Sequence, residues 1–208
     1  MKIAGIYLAA GKSSRMGVNK LTLPVQENTL GSLALHTALQ SSLNEIYVIA
    51  RKADDLEWIP RSIKNNPKCT IIINDHNDDG QSASLRTGIK TAINSHCDAA
   101  VILLADQPFI TVKMIDRLVN AWKTKPTYPF VATIFNKTIS PPLLWSSSEF
   151  HKFLTLQGDQ GAKAFLKSPL IEQGKFIACE NEYCIKDIDT PLDYKELGCS
   201  KLNSKMKN

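Results

Sequence analysis

Residues 3–21 read Ile3-Ala4-Gly5-Ile6-Tyr7-Leu8-Ala9-Ala10-Gly11-Lys12-Ser13-Ser14-Arg15-Met16-Gly17-Val18-Asn19-Lys20-Leu21. The apolar run from Ile3 to Ala9 ends in small residues and cations. An unbroken apolar run of this length fits a strand covered on both faces, as in a parallel sheet. Small residues behind it expose backbone N–H groups, which form an anion-binding concavity. Arg15 as a planar fork and Lys20 as a point charge suit a triphosphate. A plain Gly/Ser turn with surface cations is the alternative. Gly11-Lys12-Ser13 has the ending of a Walker A loop, but the glycine that motif needs five residues earlier is Ile6. A P-loop ATPase is therefore disfavoured.

Working outward, helical patterns at Leu30 to Leu43, Gln81 to Ile93 and Val112 to Trp122 alternate with strand-like runs. Those runs are Glu45 to Ala50, Cys69 to Ile73, Ala99 to Leu104 and Pro129 to Phe135. A polar piece from Asp54 to Lys64 also reads as helical. Alternating strands and helices imply an α/β, doubly wound, mostly parallel sheet in one Rossmann-like domain. After Asn136 the pattern loosens around Pro141 and Pro142. A helix before Leu156, a Gly158–Gly161 turn, a helix to Lys167 and short strands near Phe176 and Cys184 are expected there. Ligands of such folds sit at the carboxyl ends of the strands. Loops 10–20, 74–84 and 105–110 should then share one crevice.

The bulk properties narrow the class. The chain has 208 residues, is 43% hydrophobic and 22% charged, and carries a net charge of +5. These are globular proportions, and the length buries enough core without a disulfide or metal staple. Lys201, Lys205 and Lys207 in the tail supply three of the excess charges. What remains is too sparse for a nucleic-acid stripe. No apolar run is long enough for a transmembrane helix. The five scattered cysteines form no Cys-x-x-Cys pair, which argues against a zinc site and for a reduced, cytoplasmic protein.

Asp75 to Gly80 begins like a calcium loop, but its twelfth position is Arg86, a cation where a bidentate Glu is needed. Ser82 and Ser84 open a helix and suit either capping or a ligand. Asp106 follows an apolar strand and reads as a Mg²⁺ ligand or as the cap of the next helix. Asp187 and Asp189 alternate along an expected strand, and Asp189 also precedes Thr190-Pro191 as a possible cap. The four histidines adjoin no Ser or Cys nucleophile motif, and Trp58, Trp122 and Trp145 read as packing.

The segment Leu8 to Leu21 resembles the signature of the nucleotidyltransferases. The chain as a whole resembles the MocA-like molybdenum-cofactor cytidylyltransferases. The likeness continues at Gly80-Gln81-Ser82-Ala83-Ser84-Leu85-Arg86-Thr87-Gly88 and at Leu104-Ala105-Asp106-Gln107-Pro108. It reappears at Gly158-Asp159-Gln160-Gly161-Ala162 and at Asp187-Ile188-Asp189-Thr190-Pro191.

The resemblance implies transfer of CMP from CTP to the phosphate of molybdopterin, with pyrophosphate released. Such an activity would serve a client xanthine-dehydrogenase-type molybdoenzyme in purine catabolism, without nucleic acid or membrane. It implies catalytic roles for Arg15, Lys20 and Asp106. The nucleotide would meet these three together with Leu8, Ala9, Ala10, Gly11, Ser13, Gly80, Ser82 and Ser84. Mg²⁺ would sit on Asp106 and Asp189. The acceptor would meet Pro142, Asp159, Gly161 and Lys163. The implied nucleotide-binding half covers about 1–110 and the acceptor half about 111–198, with a basic, disordered tail over 199–208.

Ala9-Ala10-Gly11 resembles the cytidylyl rather than the guanylyl members. Lys163 stands where the family usually has Arg, and Pro141 where it often has His, which bears on acceptor identity. Guanylyl transfer, sugar- or polyol-phosphate transfer, and a non-catalytic cofactor chaperone are the alternatives.

Overall fold

The computed structural model describes residues 1–11, 16–75, 80–167 and 169–197. Lys12, Ser13, Arg15, the run from His76 to Asp79 and the tail lie outside the described residues. The strands are β1 (Ile3–Leu8), β2 (Pro24–Val25), β3 (Asn28–Thr29), β4 (Glu45–Arg51), β5 (Cys69–Asn74), β6 (Ala99–Leu104), β7 (Phe130–Phe135), β8 (Thr138–Ser146) and β9 (Lys175–Ala178). The helices are α1 (Leu30–Gln40), α2 (Arg61–Lys64), α3 (Gly80–Asn94), α4 (Val112–Thr124) and α5 (Phe150–Phe153), with α6 over 191–197.

Seven strands form one sheet in the order β5-β4-β1-β6-β8-β7-β9, and β2 pairs with β3 apart from it. β8 runs antiparallel to both β6 and β7, while the other pairings of the seven-stranded sheet are parallel. This is the expected mostly parallel α/β sheet in one domain. Strand side chains alternate between faces. Ile3 and Tyr7 join the core under α1 and α4, whereas Ala4, Ile6 and Leu8 join the core under α3 and α5. A Cβ on Gly88 would stand 2.3 Å from Ile6 Cγ2, so glycine is what lets α3 lie this close to β1. Trp58, Trp122 and Trp145 are buried, as packing residues should be.

Several expectations need correction. The stretch 54–64 is helical only at α2. Asp54 Oδ1 accepts from Leu56 N and Asp55 Oδ1 from Glu57 N, and such local bonds compete with helix formation. The prolines do not loosen the sheet. Pro141 and Pro142 lie inside β8, at the register shift opposite Ala132/Thr133. Proline lacks the N–H a regular ladder needs, and a bulge tolerates that lack.

The helices expected before Leu156 and up to Lys167 shrink to α5 and a 3-10 turn at Ala164–Lys167. Cys184 sits in a 3-10 turn, Glu182–Ile185, capped by the Asn181 side chain. Residues 186–189 are unpaired in any sheet, so Asp187 and Asp189 do not share a strand. Among the described residues no helix is long and apolar enough to cross a membrane.

The strand order positions the site. The chain winds from β1 to β4 and β5, then crosses back to place β6 on the other side of β1. The loops leaving β1 and β6 therefore part in opposite directions and open a crevice between them.

Candidate active site

The crevice is a cavity of about 500 Å³. One wall comes from the ends of β1 and β6. Ala9 N donates to Ile49 O at 3.0 Å and Ala105 N to Leu8 O at 3.1 Å, so the ladder continues one step past each strand. That step delivers Leu8, Ala9, Ala10 and Gly11, and opposite them Asp106, to the cavity surface. The start of α3 adds Gly80 and Ser84, and a loop adds Gly158 and Asp159. Gly80 has φ +69°, and a Cβ there would come within 2.5 Å of Gly158 O. Glycine thus permits the contact between these two segments.

Lys20 joins the two ends of the chain. It opens a 3-10 turn whose cap is the Asn19 side chain. Its Nζ donates to Asp106 Oδ2 at 2.8 Å, to Asp189 Oδ1 at 2.7 Å and to Ile188 O at 2.9 Å. The Lys20 side chain is 9% exposed. Burial works against its charge, but Asp106 and Asp189 outweigh burial and raise its pKa. Lys20 therefore stays an ammonium at neutral pH.

The capping alternatives for the two acids fall away. Thr111 Oγ1 accepts from Met114 N, so Thr111, not Asp106, caps α4. At α6, Thr190 and Asp193 cap each other's backbone, with Thr190 N donating to Asp193 Oδ2 and Asp193 N to Thr190 Oγ1. Asp106 Oδ1 is buried and has no hydrogen-bond partner among the described residues.

Gln107 is a residue whose side chain the sequence left without a role. It is 1% exposed. Its Nε2 donates to Asp187 Oδ1 at 2.7 Å and to Ser140 Oγ at 3.1 Å. Burial raises the pKa of Asp187, and the charge of Asp106 adds to the rise. The one available signal was that Gln107 adjoins Asp106 in Asp-Gln-Pro.

Two groups of expected site residues are only partly brought together. Ser84 lines the cavity, and its Oγ accepts from Asn74 Nδ2. Ser82 is off the cavity wall: it is fully buried, and its Oγ accepts from Arg86 Nη1. Of the four acceptor residues, Asp159 lines the cavity. Pro142 is buried in β8, where its carbonyl accepts from Thr133 Oγ1. Gly161 packs against the Gln81 side chain, and Lys163 is exposed. Arg15 and Ser13 lie outside the described residues.

Residues 5–174 match the MobA-like NTP transferase domain. The chain belongs to that family. This transferase is 36% identical over 196 residues to the purine catabolism protein PucB of Bacillus subtilis, covering 92% of this chain and 94% of that protein. It is 25% identical over 189 residues to the molybdenum cofactor cytidylyltransferase of Escherichia coli, covering 91% and 92% of the two chains. Its fold is similar to that of Rv0371c from Mycobacterium tuberculosis in complex with manganese. There the TM-score is 0.75 at 20% identity, over 96% of this chain and 100% of the other.

The transferase has a donor set that fits a hard divalent ion. Asp106 offers a buried oxygen with no partner among the described residues, and Asp189 stands across Lys20 from it. Among the described residues no three His, Cys, Asp or Glu side chains form a cage. Magnesium seldom uses such a cage. It takes one or two carboxylates and fills its remaining positions with phosphate oxygens and water.

Proposed function

We propose that this nucleotidyltransferase moves CMP from CTP to the phosphate of molybdopterin, for a client xanthine-dehydrogenase-type enzyme in the cytoplasm. The observation that carries the reading is the meeting of Lys20, Asp106 and Asp189, the first two on the wall of the β1/β6 crevice. The acceptor class rests on the likeness to a molybdenum cofactor cytidylyltransferase and to a purine catabolism protein.

An acceptor phosphate oxygen attacks the α-phosphorus. The bond to the β-phosphate breaks, and its electron pair leaves with pyrophosphate. This chemistry asks for positioning and charge neutralisation rather than a covalent nucleophile. Ala9, Ala10 and Gly11 present small surfaces against which the nucleotide packs. Arg15 and Lys20 neutralise charge on the phosphates. Asp106 and Asp189 would hold Mg²⁺, which supplies charge stabilisation on the phosphate oxygens. Residues of about 1–110 serve the nucleotide and those of about 111–198 the acceptor, with Asp159 on the cavity wall.

The test is pyrophosphate release with Mg²⁺, purified molybdopterin and each nucleoside triphosphate in turn. CTP should give the fastest release. Preference for GTP, or turnover only with a sugar or polyol phosphate, moves the proposal to those reactions. Cofactor binding without pyrophosphate under any nucleotide makes the protein a chaperone instead.

A further inference from the structure

The two acids proposed to hold the divalent ion are already engaged. Lys20 Nζ lies 2.8 Å from Asp106 Oδ2 and 2.7 Å from Asp189 Oδ1. Two carboxylates held within 3 Å of one buried ammonium repel each other and favour that positive charge between them. The same ammonium also holds Ile188 O, while Ile188 N donates to Asp106 O at 2.9 Å. Lys20 thus fastens residues 188–189 to the end of β6 as well as neutralising the acids.

An ammonium has three N–H donors, and with bonds to Asp106, Asp189 and Ile188 O already made, this one gives up a partner to bond a nucleotide phosphate. Its charge is compact and rides on a flexible stem, so turning from one anion to another costs rotations rather than backbone strain. We propose that Lys20 is a built-in counter-ion that excludes the metal until nucleotide phosphate draws the ammonium away. The proposal rests on the reading of Asp106 and Asp189 as the metal carboxylates.

A metal ion arriving alone has to displace the ammonium and brings no anion of its own. A nucleotide supplies oxygens to both cations. Metal and nucleotide therefore bind cooperatively, each strengthening the other by the same factor. The competing arrangement has the ion on Asp106 Oδ1 while Lys20 keeps Oδ2. In that case the lysine would not gate the metal.

The full-length protein, free of nucleotide, is titrated with Mn²⁺, and unbound Mn²⁺ is followed by electron paramagnetic resonance. Lys20→Met should bind Mn²⁺ about ten-fold more tightly than wild type, a coupling of ordinary size. Lys163→Met removes an exposed charge that acts on Asp187. It should change Mn²⁺ affinity by less than about two-fold, as expected of a screened surface charge. Equal affinity in wild type and Lys20→Met, or equal tightening by Lys163→Met, overturns the proposal.

A second measurement covers the case in which Lys20→Met folds poorly. In wild type, saturating Mn²⁺ should expose Lys20 to an amine-acylating reagent, detected by peptide mapping. Unchanged acylation counts against the counter-ion. Pyrophosphate release is a separate readout. A protein that gates Mn²⁺ but releases no pyrophosphate keeps this inference and loses the transfer reading. An active enzyme whose Lys20→Met variant gains no Mn²⁺ affinity does the reverse.

Discussion

The two sides of the Lys20 cluster are held by different forces. On one side, Ala9 and Asp106 ride on the ends of β1 and β6, paired in register from Ile3↔Ala99 to Leu8↔Leu104. Those strands are covered on both faces, so hydrophobic burial sets where their ends stand. On the other side, Asp187 and Asp189 lie on a segment with no ladder. Gln107, Lys20 and the Ile188–Asp106 backbone bond hold it. Ile188 adds one apolar anchor among Val25, Leu30 and Leu197. A wall fixed by many weak contacts tolerates the loss of one. A wall fixed by a few polar contacts depends on each of them.

The largest expected effect tests the rigid wall's chemistry without breaking the wall. Asp106→Asn should lower pyrophosphate release about 10²–10³-fold, the usual loss when one positioned charge-stabilising group is removed. Its melting temperature should stay close to wild type, because β6 carries the position; a large drop would show that Asp106 also holds the wall together.

Gly88→Ala attacks that wall's packing. The new Cβ would meet Ile6 Cγ2 at 2.3 Å. Overpacking of this kind costs about 1–3 kcal/mol, read as a shift in the denaturant midpoint.

Gln107→Leu attacks the polar wall. It removes the donor that holds Asp187 Oδ1, at a cost of about 0.5–1.5 kcal/mol. It should also raise the Mg²⁺ concentration needed for half-maximal activity while the KM for nucleotide stays within about two-fold, since one wall moves and the other does not. The Gln107→Leu/Asp187→Leu double variant should recover part of the lost stability.

The smallest effect is at the cap of α6. Asp193→Ala should cost about 1 kcal/mol. Hydrogen bonding from Thr190 lowers the Asp193 pKa. Its contribution is therefore present above the carboxyl's ordinary value and fades as pH falls through the lowered one. Wild-type and variant melting temperatures should converge at acid pH.

How much was legible follows the same division. The strand Ala99–Leu104 and the start of α4 at Val112 stand where the sequence places them. An apolar run and a capping threonine act over a few residues, so a local reading finds them. The cavity places Leu8 to Gly11, Gly80, Ser84 and Asp106 on one surface, as strand ends and a helix start predict. The stretch 54–64 misled because Asp54 and Asp55 bond their own backbone. β8 was obscured because prolines signal a break unless they fall in a bulge of the strand, as Pro141 and Pro142 do. Gln107 gave no sign beyond its place beside Asp106, because what a glutamine does depends on what faces it.

From the sequence alone came the α/β winding, the small-residue loop after β1, and the acids and lysine a nucleotidyltransferase needs. Periodicity, spacing and resemblance carry that much. That Lys20 bridges Asp106 and Asp189 was settled only by the tertiary fold. The bridge spans 169 residues of chain. Nothing local specifies it: it exists because the crossover sets β6 beside β1, and because the Ile188–Asp106 backbone bond brings two carboxylates close enough to share one ammonium.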